Sequence, residues 1–145
     1  MAQTYDPVAK LNELIRGMEF AMLTTVRTDG SLHSCPMAAA EVDRDGILWF
    51  FSRNKTEKVE AIKNDRRVNL SYSDPASQRY VSITGDAEPL RNHVKAQQLW
   101  DPRYGPWFAN GVHDPDLILL RVVVGAAEYW DESSGGMVPL SGFPR

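Results

Sequence analysis

The chain has 145 residues, and 16 Lys and Arg against 19 Asp and Glu give it a formal net charge of −3. That length fits one domain, and a hydrophobic fraction of 43% is enough to build a core. Proteins whose main task is to bind nucleic acid usually carry a basic excess, so the charge argues against that class.

A single cysteine, Cys35, excludes an intrachain disulfide, so the fold does not depend on oxidation. The segment from Met1 to Lys10 lacks the basic and apolar regions of a signal peptide, and no apolar run approaches the length of a bilayer span. The sequence therefore predicts a cytoplasmic globular protein with no membrane partner.

The first half of the chain alternates short apolar segments with turn signals. Asp6 and Pro7 form a helix start, because Asp is a favoured N-cap and Pro is favoured at the first helical position. Asp29-Gly30 and Asp45-Gly46 supply the positive φ of tight hairpins. The predicted elements are a helix over 7–17, strands over 20–26, 32–41 and 47–52, and a helix over 56–64.

The second half adds three strands and one helix, and it ends in a Gly- and Pro-rich tail. Strands are predicted over 68–72, 80–90 and 117–130, a helix over 91–100, and a long loop over 101–116. The tail from Ser133 is expected to lie on a surface or on a partner. About six strands at short spacing, with few helices between them, predict a mainly β domain that forms a closed or nearly closed antiparallel barrel.

The segment 32–58 is the strongest candidate for chemistry, because Lys55, Thr56 and Lys58 come at the start of a predicted helix. A helix N-terminus offers free N–H groups and a partial positive charge, and a hydroxyl and lysines beside it would complete a phosphate site. The alternative interpretation is that Thr56 is an ordinary N-cap residue and that the lysines are solvated.

The aromatic residues allow two interpretations as well. Trp49, Phe50 and Phe51 lie on a predicted strand, where aromatic residues belong to the core far more often than to a ligand site. Trp107 and Phe108 lie in a loop flanked by Pro and Gly, where such a pair usually packs onto a ligand or a second subunit. The three histidines are far apart and show no metal-ligand spacing, so no metal site is predicted.

Several segments in order resemble the flavin-binding split barrels of the pyridoxamine 5′-phosphate oxidase-like family, and in particular its general stress protein branch. They are FAMLTTV at 20–26, HSCPM at 33–37, LWFFS at 48–52, TEKVEAI at 56–62, NDRRVNLSYSD at 64–74, YVSITGDAEPL at 80–90 and WFANGVHDPDLILLRVVVGAAEYWD at 107–131. The resemblance covers roughly residues 8 to 132. It implies a six-stranded antiparallel split barrel, a single domain over 1–145 with a peripheral tail, and a homodimer that holds FMN at its interface.

The resemblance also implies which residues contact FMN. The strand with Cys35, Pro36 and Met37 would run along the ring and the ribityl chain, with the Met37 backbone N–H as a candidate donor to the ring. Thr56 and Lys58 would hold the phosphate, and Trp107 would reach across from the second subunit. The full set of expected cofactor-binding residues is Ser34, Cys35, Pro36, Met37, Phe51, Ser52, Lys55, Thr56, Lys58, Tyr80 and Trp107.

Five departures from the family pattern bear on activity. The family commonly has arginine where this chain has Cys35, and the true oxidases have a basic residue at Glu57 and a lysine at Ala40. Tyr80 stands where those oxidases carry a glutamine, and no Arg-x-His element occurs near the C-terminus. Oxidation of pyridoxamine phosphate is therefore not expected of this chain.

The resulting hypothesis is an FMN-dependent oxidoreductase that acts on a small molecule. The alternatives are a non-catalytic flavin carrier or sensor, and a barrel of the same fold that binds deazaflavin or haem. An oligonucleotide-binding barrel is disfavoured by the net charge of −3 and by aromatic residues on predicted core strands.

Overall fold

The computed structural model describes residues 6–144, and in this range the chain forms a mainly antiparallel β structure with flanking helices. The strands are Phe20–Val26 (β1), Leu32–Ala38 (β2), Ile47–Arg53 (β3), Arg67–Asp74 (β4), Arg79–Leu90 (β5), Leu117–Trp130 (β6) and Val138–Leu140 (β7). The α-helices are Pro7–Ile15 (α1), Glu57–Asn64 (α2) and His93–Leu99 (α3). Two short 3-10 helices, Pro102–Trp107 and Gly111–His113, occupy the long loop.

The local signals in the sequence place most of these elements correctly. The Asp6 carboxylate caps α1 by accepting hydrogen bonds from the backbone N–H groups of Val8 and Ala9. Gly30 and Gly46 have φ values of +87° and +79°, as their turns require. Strands β1 and β6 have the predicted bounds.

The prediction that β2 continues to residue 41 is wrong, because a side chain of α1 forms hydrogen bonds with the backbone beyond Ala38. The Asn12 side-chain amide donates to the Val42 carbonyl oxygen at 2.8 Å, and the Asn12 amide oxygen accepts from the Val42 N–H at 2.8 Å. Both backbone groups of Val42 are thereby satisfied without a strand partner.

The prediction of six strands is also corrected, because the tail adds a seventh. Strand β7 pairs with β6, with Leu140 opposite Ala127. Leu140 and Phe143 are buried in the main core of the same chain. The tail, which was expected on a surface or a partner, thus packs against its own barrel.

The hydrogen-bonded order of the strands is β2-β1-β4-β5-β6-β3, with β7 on the β3 side of β6. The two end strands, β2 and β3, approach each other but form no ladder. The barrel is therefore split along the seam between β2 and β3, as the resemblance implied.

Two apolar clusters fill and cover this barrel. The first contains the inward-facing residues of the strands together with α1 and α2, for example Leu11, Phe50 and Ile62. The second lies outside β3 and β6, where Trp49, Phe51 and Leu119 pack under α3 and the 3-10 segment. Helices therefore cover the outer face of β3 and β6 beside the seam.

Within the described residues 6–144, no helix is both long and apolar enough to cross a membrane.

A β-bulge between β5 and β6 requires a glycine. The pairing shifts from Thr84 opposite Ala126 to Gly85 opposite Val124, which leaves Gly125 as the extra residue. A Cβ added at Gly85 would overlap the Val123 carbonyl oxygen, whereas one at Gly125 would make an ordinary 3.5 Å contact with the Thr84 carbonyl oxygen.

We therefore expect Gly85→Ala to lower the free energy of unfolding by about 1–3 kcal/mol, since backbone atoms must move to admit the methyl group. Gly125→Ala is the matched control and should change this free energy by less than about 1 kcal/mol. Urea denaturation of the three proteins measures both effects. Equal stability of Gly85→Ala and the unmodified protein would contradict the close approach at the bulge.

Candidate functional site

A cleft of about 230 Å³ opens along the seam, between the ends of β2 and β3. This volume is slightly below the roughly 300–1,000 Å³ of small-molecule sites, so one chain encloses a drug-sized ligand only in part. The lining residues are Phe20, Pro36, Met37, Ala38, Phe51, Ser52, Arg53, Thr56, Lys58, Tyr104, Trp107 and Phe108.

Aromatic side chains form one wall of the cleft. The Phe51 ring lies 4.9 Å from the Tyr104 ring and 6.3 Å from the Phe108 ring, measured between centroids. Trp107 is 45% exposed and Phe20 is 51% exposed, although both line the cleft. This wall offers flat apolar surface to a ligand at the mouth of the seam.

The other wall is polar and lies where α2 begins. Thr56 has the extended backbone of an N-cap residue, but its side chain does not cap the helix. Its hydroxyl donates instead to the Arg53 carbonyl oxygen at 3.1 Å, and the Ser52 hydroxyl donates to the same oxygen at 3.1 Å. The first-turn N–H groups of α2 and the Lys58 ammonium therefore remain as donors for an anion.

An acidic residue beside this wall is balanced by a neighbouring arginine. Glu57 follows Thr56 directly, and its carboxylate would repel an anion bound at the start of α2. The Arg27 Nε atom lies 2.5 Å from the Glu57 Oε1 atom, so the pair carries little net charge.

Arg53 connects the two walls, and the sequence predictions did not include it. Its guanidinium donates to the Trp107 carbonyl oxygen and lies 5.2 Å from the centroid of the Phe108 ring. Its Nη1 atom is 3.6 Å from the Asp116 Oδ2 atom. The one local signal was a charged residue two positions after the apolar run ILWFF, at the end of a strand.

Asp116 holds the turn that leads from β3 into α2. Its carboxylate accepts from the Lys55 N–H at 3.3 Å, and its carbonyl oxygen accepts from the Asn54 N–H at 2.8 Å. The sequence predicts only that Asp116 ends the long loop over 101–116, because its contacts lie about 60 residues away along the chain.

Seven of the predicted site residues line the cleft together: Pro36, Met37, Phe51, Ser52, Thr56, Lys58 and Trp107. Trp107 lines the cleft of its own chain, whereas the resemblance implied that it would reach across from the second subunit. Ser34, Cys35, Lys55 and Tyr80 are not part of the lining, and their roles stay predictions. Ser34 pairs with Thr24 through their hydroxyl oxygens at 2.7 Å, and the Tyr80 ring lies 5.7 Å from the Trp130 ring.

The register of β1 and β2 changes one predicted contact. The Ala39 N–H donates to the Glu19 carbonyl oxygen at 2.8 Å, and the opposed pairs alternate along an antiparallel ladder. The Met37 N–H is therefore directed to Ala21 of β1 and not into the seam, which corrects its assignment as a donor. Of the β2 residues that line the cleft, Ala38 is the one whose N–H faces the seam, since Pro36 has none.

The other chemistry-bearing residues do not join this cleft. His93 and His113 meet with ring centroids 5.0 Å apart, although they are distant in sequence. No group of three or more His, Cys, Asp or Glu within the described residues 6–144 could hold a metal ion. Phe50 is fully buried, and the Trp49 Nε1 atom donates to the Asp43 Oδ2 atom at 3.0 Å, so both belong to the fold.

Most of the chain matches a known protein family. A family model described as "Pyridoxamine 5'-phosphate oxidase like" matches residues 6–142. Protein bli-3 of Neurospora crassa is 29% identical over 133 residues, in an alignment that covers 83% of this chain and 64% of bli-3. The chain thus spans less than two thirds of the length of that curated relative.

Two solved structures have the same fold over nearly the whole chain. A Clostridium acetobutylicum protein related to general stress protein 26 has a TM-score of 0.79 and 20% identity, covering 93% of this chain and 95% of its own. The general stress FMN/FAD binding protein of Xanthomonas citri has a TM-score of 0.72 and 27% identity, covering 94% of each chain.

The thiol of Cys35 provides a test of the geometry beside the cleft. Burial raises the pKa of this thiol, while the nearby Lys58 ammonium lowers the pKa by a smaller amount. Alkylation by iodoacetamide at about pH 8 should therefore be slower in the native protein than in urea, because less thiolate is present.

Lys58→Met should slow the alkylation of native Cys35 further, since it removes the charge that favours the thiolate. Mass spectrometry at several pH values gives the rates. Lys63→Met, on the same helix, is the control and should react like the unmodified protein. A native rate equal to that in urea would contradict the burial of Cys35.

Proposed function

The chain belongs to the pyridoxamine 5′-phosphate oxidase-like family, and we propose that it binds FMN in the seam cleft and works as a flavin-dependent oxidoreductase on a small molecule. The observation that carries the proposal is the pairing of an aromatic wall with a cationic helix start in one cleft. The 27% identity to a general stress FMN/FAD binding protein over 94% of the chain supports it.

The donor set of the cleft fits FMN, a planar ring system that carries a phosphate. Lys58 and the first-turn N–H groups of α2 would hold the phosphate, a ligand class that helix N-termini bind readily. Thr56 would join them once its hydroxyl turns away from the Arg53 carbonyl oxygen. Phe51 and Trp107 would contact the ring system from the aromatic wall.

When bound, FMN supplies hydride chemistry, and the protein supplies binding, orientation and electrostatics. The residues around the seam would orient the ring and exclude water from one side of it, and the Ala38 N–H would be available as a donor to the ring. The opening between Phe20 and Trp107, both exposed, is where a small substrate would enter.

We also propose that the chain forms a homodimer through the outer face of β2, β1 and β4. Helices cover the outer face of β3 and β6, but the outward residues of this face include exposed Phe20, Met22 and Leu32. The other outward residues from Leu32 to Pro36 and from Asn69 to Ser73 are uncharged. Because Phe20 and Pro36 belong to both this face and the cleft, a second copy would complete the enclosure of the cofactor.

A second candidate function is a flavin carrier or sensor without turnover. Among the described residues that line the cleft, none is Asp, Glu, His or Cys, so the lining offers no carboxylate, imidazole or thiol for general acid or base catalysis. Sustained oxidation of reduced nicotinamide with several acceptors would exclude the carrier. Tight flavin binding without turnover would favour it.

The absorption spectrum of the purified protein, before and after addition of FMN, tests the cofactor. We expect flavin bands that stay with the protein through gel filtration. A visible spectrum that FMN cannot change would contradict the proposal, and the same experiment with deazaflavin and haem would then decide between the other ligands of this fold.

Lys58→Met should weaken FMN binding about tenfold to a hundredfold, because a charge-assisted hydrogen bond contributes about 1.5–3 kcal/mol. Lys63→Met removes an equal charge from α2 but from a residue that pairs with Glu60 at 3.7 Å, and it is the matched control. Fluorescence titration with FMN gives both dissociation constants. Equal losses in the two variants would show that Lys58 has no specific role.

Met22→Lys should convert the dimer to a monomer, since the ammonium would be buried without a partner at the proposed interface. Val94→Lys is the matched control, because Val94 is an exposed apolar residue on α3, away from this face. Gel filtration with light scattering gives the masses. A dimer of Met22→Lys, or a monomer of the unmodified chain, would contradict this interface.

A further inference from the structure

The charge of Lys58 is too small to compensate that of a phosphate bound in the cleft. A phosphate monoester carries about −1.5 to −2 charges at neutral pH, and Lys58 contributes one positive charge. The hydroxyl protons of Ser52 and Thr56 are both directed to the Arg53 carbonyl oxygen. Lys58 and the backbone N–H groups alone leave part of the phosphate charge uncompensated.

Arg53 is the second cation that lines the cleft within the described part of the chain. Its position is fixed, because its Nη2 atom donates to the Trp107 carbonyl oxygen and its guanidinium lies over the Phe108 ring. A guanidinium has five N–H donors in a rigid plane, so these contacts leave donors free. Its side chain is 46% exposed and can reach a ligand that enters from solvent.

The turn from β3 to α2 brings Arg53 next to the start of α2. The Thr56 hydroxyl bonds to the Arg53 backbone, and Asp116 holds the intervening Asn54 and Lys55 through their N–H groups. The Asp116 carboxylate is 3.6 Å from the Arg53 Nη1 atom, which is outside good hydrogen-bond distance. This ion pair therefore leaves N–H donors of the guanidinium available to a ligand.

We propose that Arg53 is an anion-binding residue of the cleft, and that with Lys58 it makes the site selective for a phosphorylated flavin over riboflavin. The proposal rests on the proposed function and deepens it. A different role would be purely mechanical, in which Arg53 only fastens the Trp107 loop. That role predicts equal losses of binding affinity for flavins with and without a phosphate, whereas an anion-binding role predicts a loss of affinity for FMN alone.

The experiment measures the dissociation constants of FMN and riboflavin for the full-length protein by flavin fluorescence at low salt. The variants are Arg53→Met and Arg53→Lys, and the control is Arg121→Met. Arg121 is also paired with one carboxylate, that of Glu88 at 3.4 Å, and does not line the cleft. Circular dichroism establishes that each variant is folded.

We expect Arg53→Met to weaken FMN binding about tenfold and to leave riboflavin binding nearly unchanged, as removal of a partly exposed charge-assisted contact predicts. Arg53→Lys should retain most of the preference for FMN, and Arg121→Met all of it. Inorganic phosphate should compete with FMN in the unmodified protein and much less in Arg53→Met.

Equal weakening of both flavins in Arg53→Met, or an unchanged ratio of the two constants, would overturn the proposal while leaving FMN binding in place. If Arg53→Met does not fold, Arg53→Gln replaces it in the same comparison of the two flavins, and an absence of phosphate competition in the unmodified protein would overturn the proposal. Failure of the unmodified protein to bind either flavin would overturn the proposed function itself.

Discussion

The missing ladder between β2 and β3 is the constraint on which the rest of this structure depends. Six strands follow one another in a continuous hydrogen-bonded order, but its two ends meet without pairing. Unpaired strand edges attract other chains or ligands unless something covers them. Here the Phe51 side of the seam is covered by the second apolar cluster, and the remaining gap is the cleft. The candidate site is thus a direct consequence of how the barrel fails to close.

Charge around the cleft follows from the same turn that takes the chain out of the barrel. After Arg53 the backbone bends through Asn54 and Lys55, which Asp116 holds, and α2 begins at once. This arrangement leaves uncapped N–H groups beside Lys58 and Arg53. Arg27 neutralises Glu57, the residue that would oppose an anion. The fold and the electrostatics of the site therefore depend on a few contacts at one end of β3.

The elements of the fold were predictable because their signals are local, and much of the site was not because its contacts are long-range. Apolar alternation and Asp-Gly turns placed β1, β3 and β6 within a residue or so. The early end of β2 depends on Asn12, which lies 30 residues away from Val42. The helix-start pattern and the resemblance both indicated Thr56 and Lys58, but Arg53 and Tyr104 were missed, since the tertiary packing of the 3-10 segment brings them together at the seam. The direction of the Met37 N–H required the register of the ladder, which a sequence pattern does not provide.

Mapping of FMN contacts by two-dimensional ¹H–¹⁵N NMR tests the central claim most directly, because it reports on each backbone N–H of the chain. If the seam is the cofactor site, stepwise addition of FMN should shift the signals of Ala38, Arg53 and Lys58 and of the Trp107 loop. The signals of Asn92 and His113, which line a separate groove, should stay in place. Shifts confined to that groove, or no shifts at all at saturating FMN, would contradict the assignment of the seam as a flavin site.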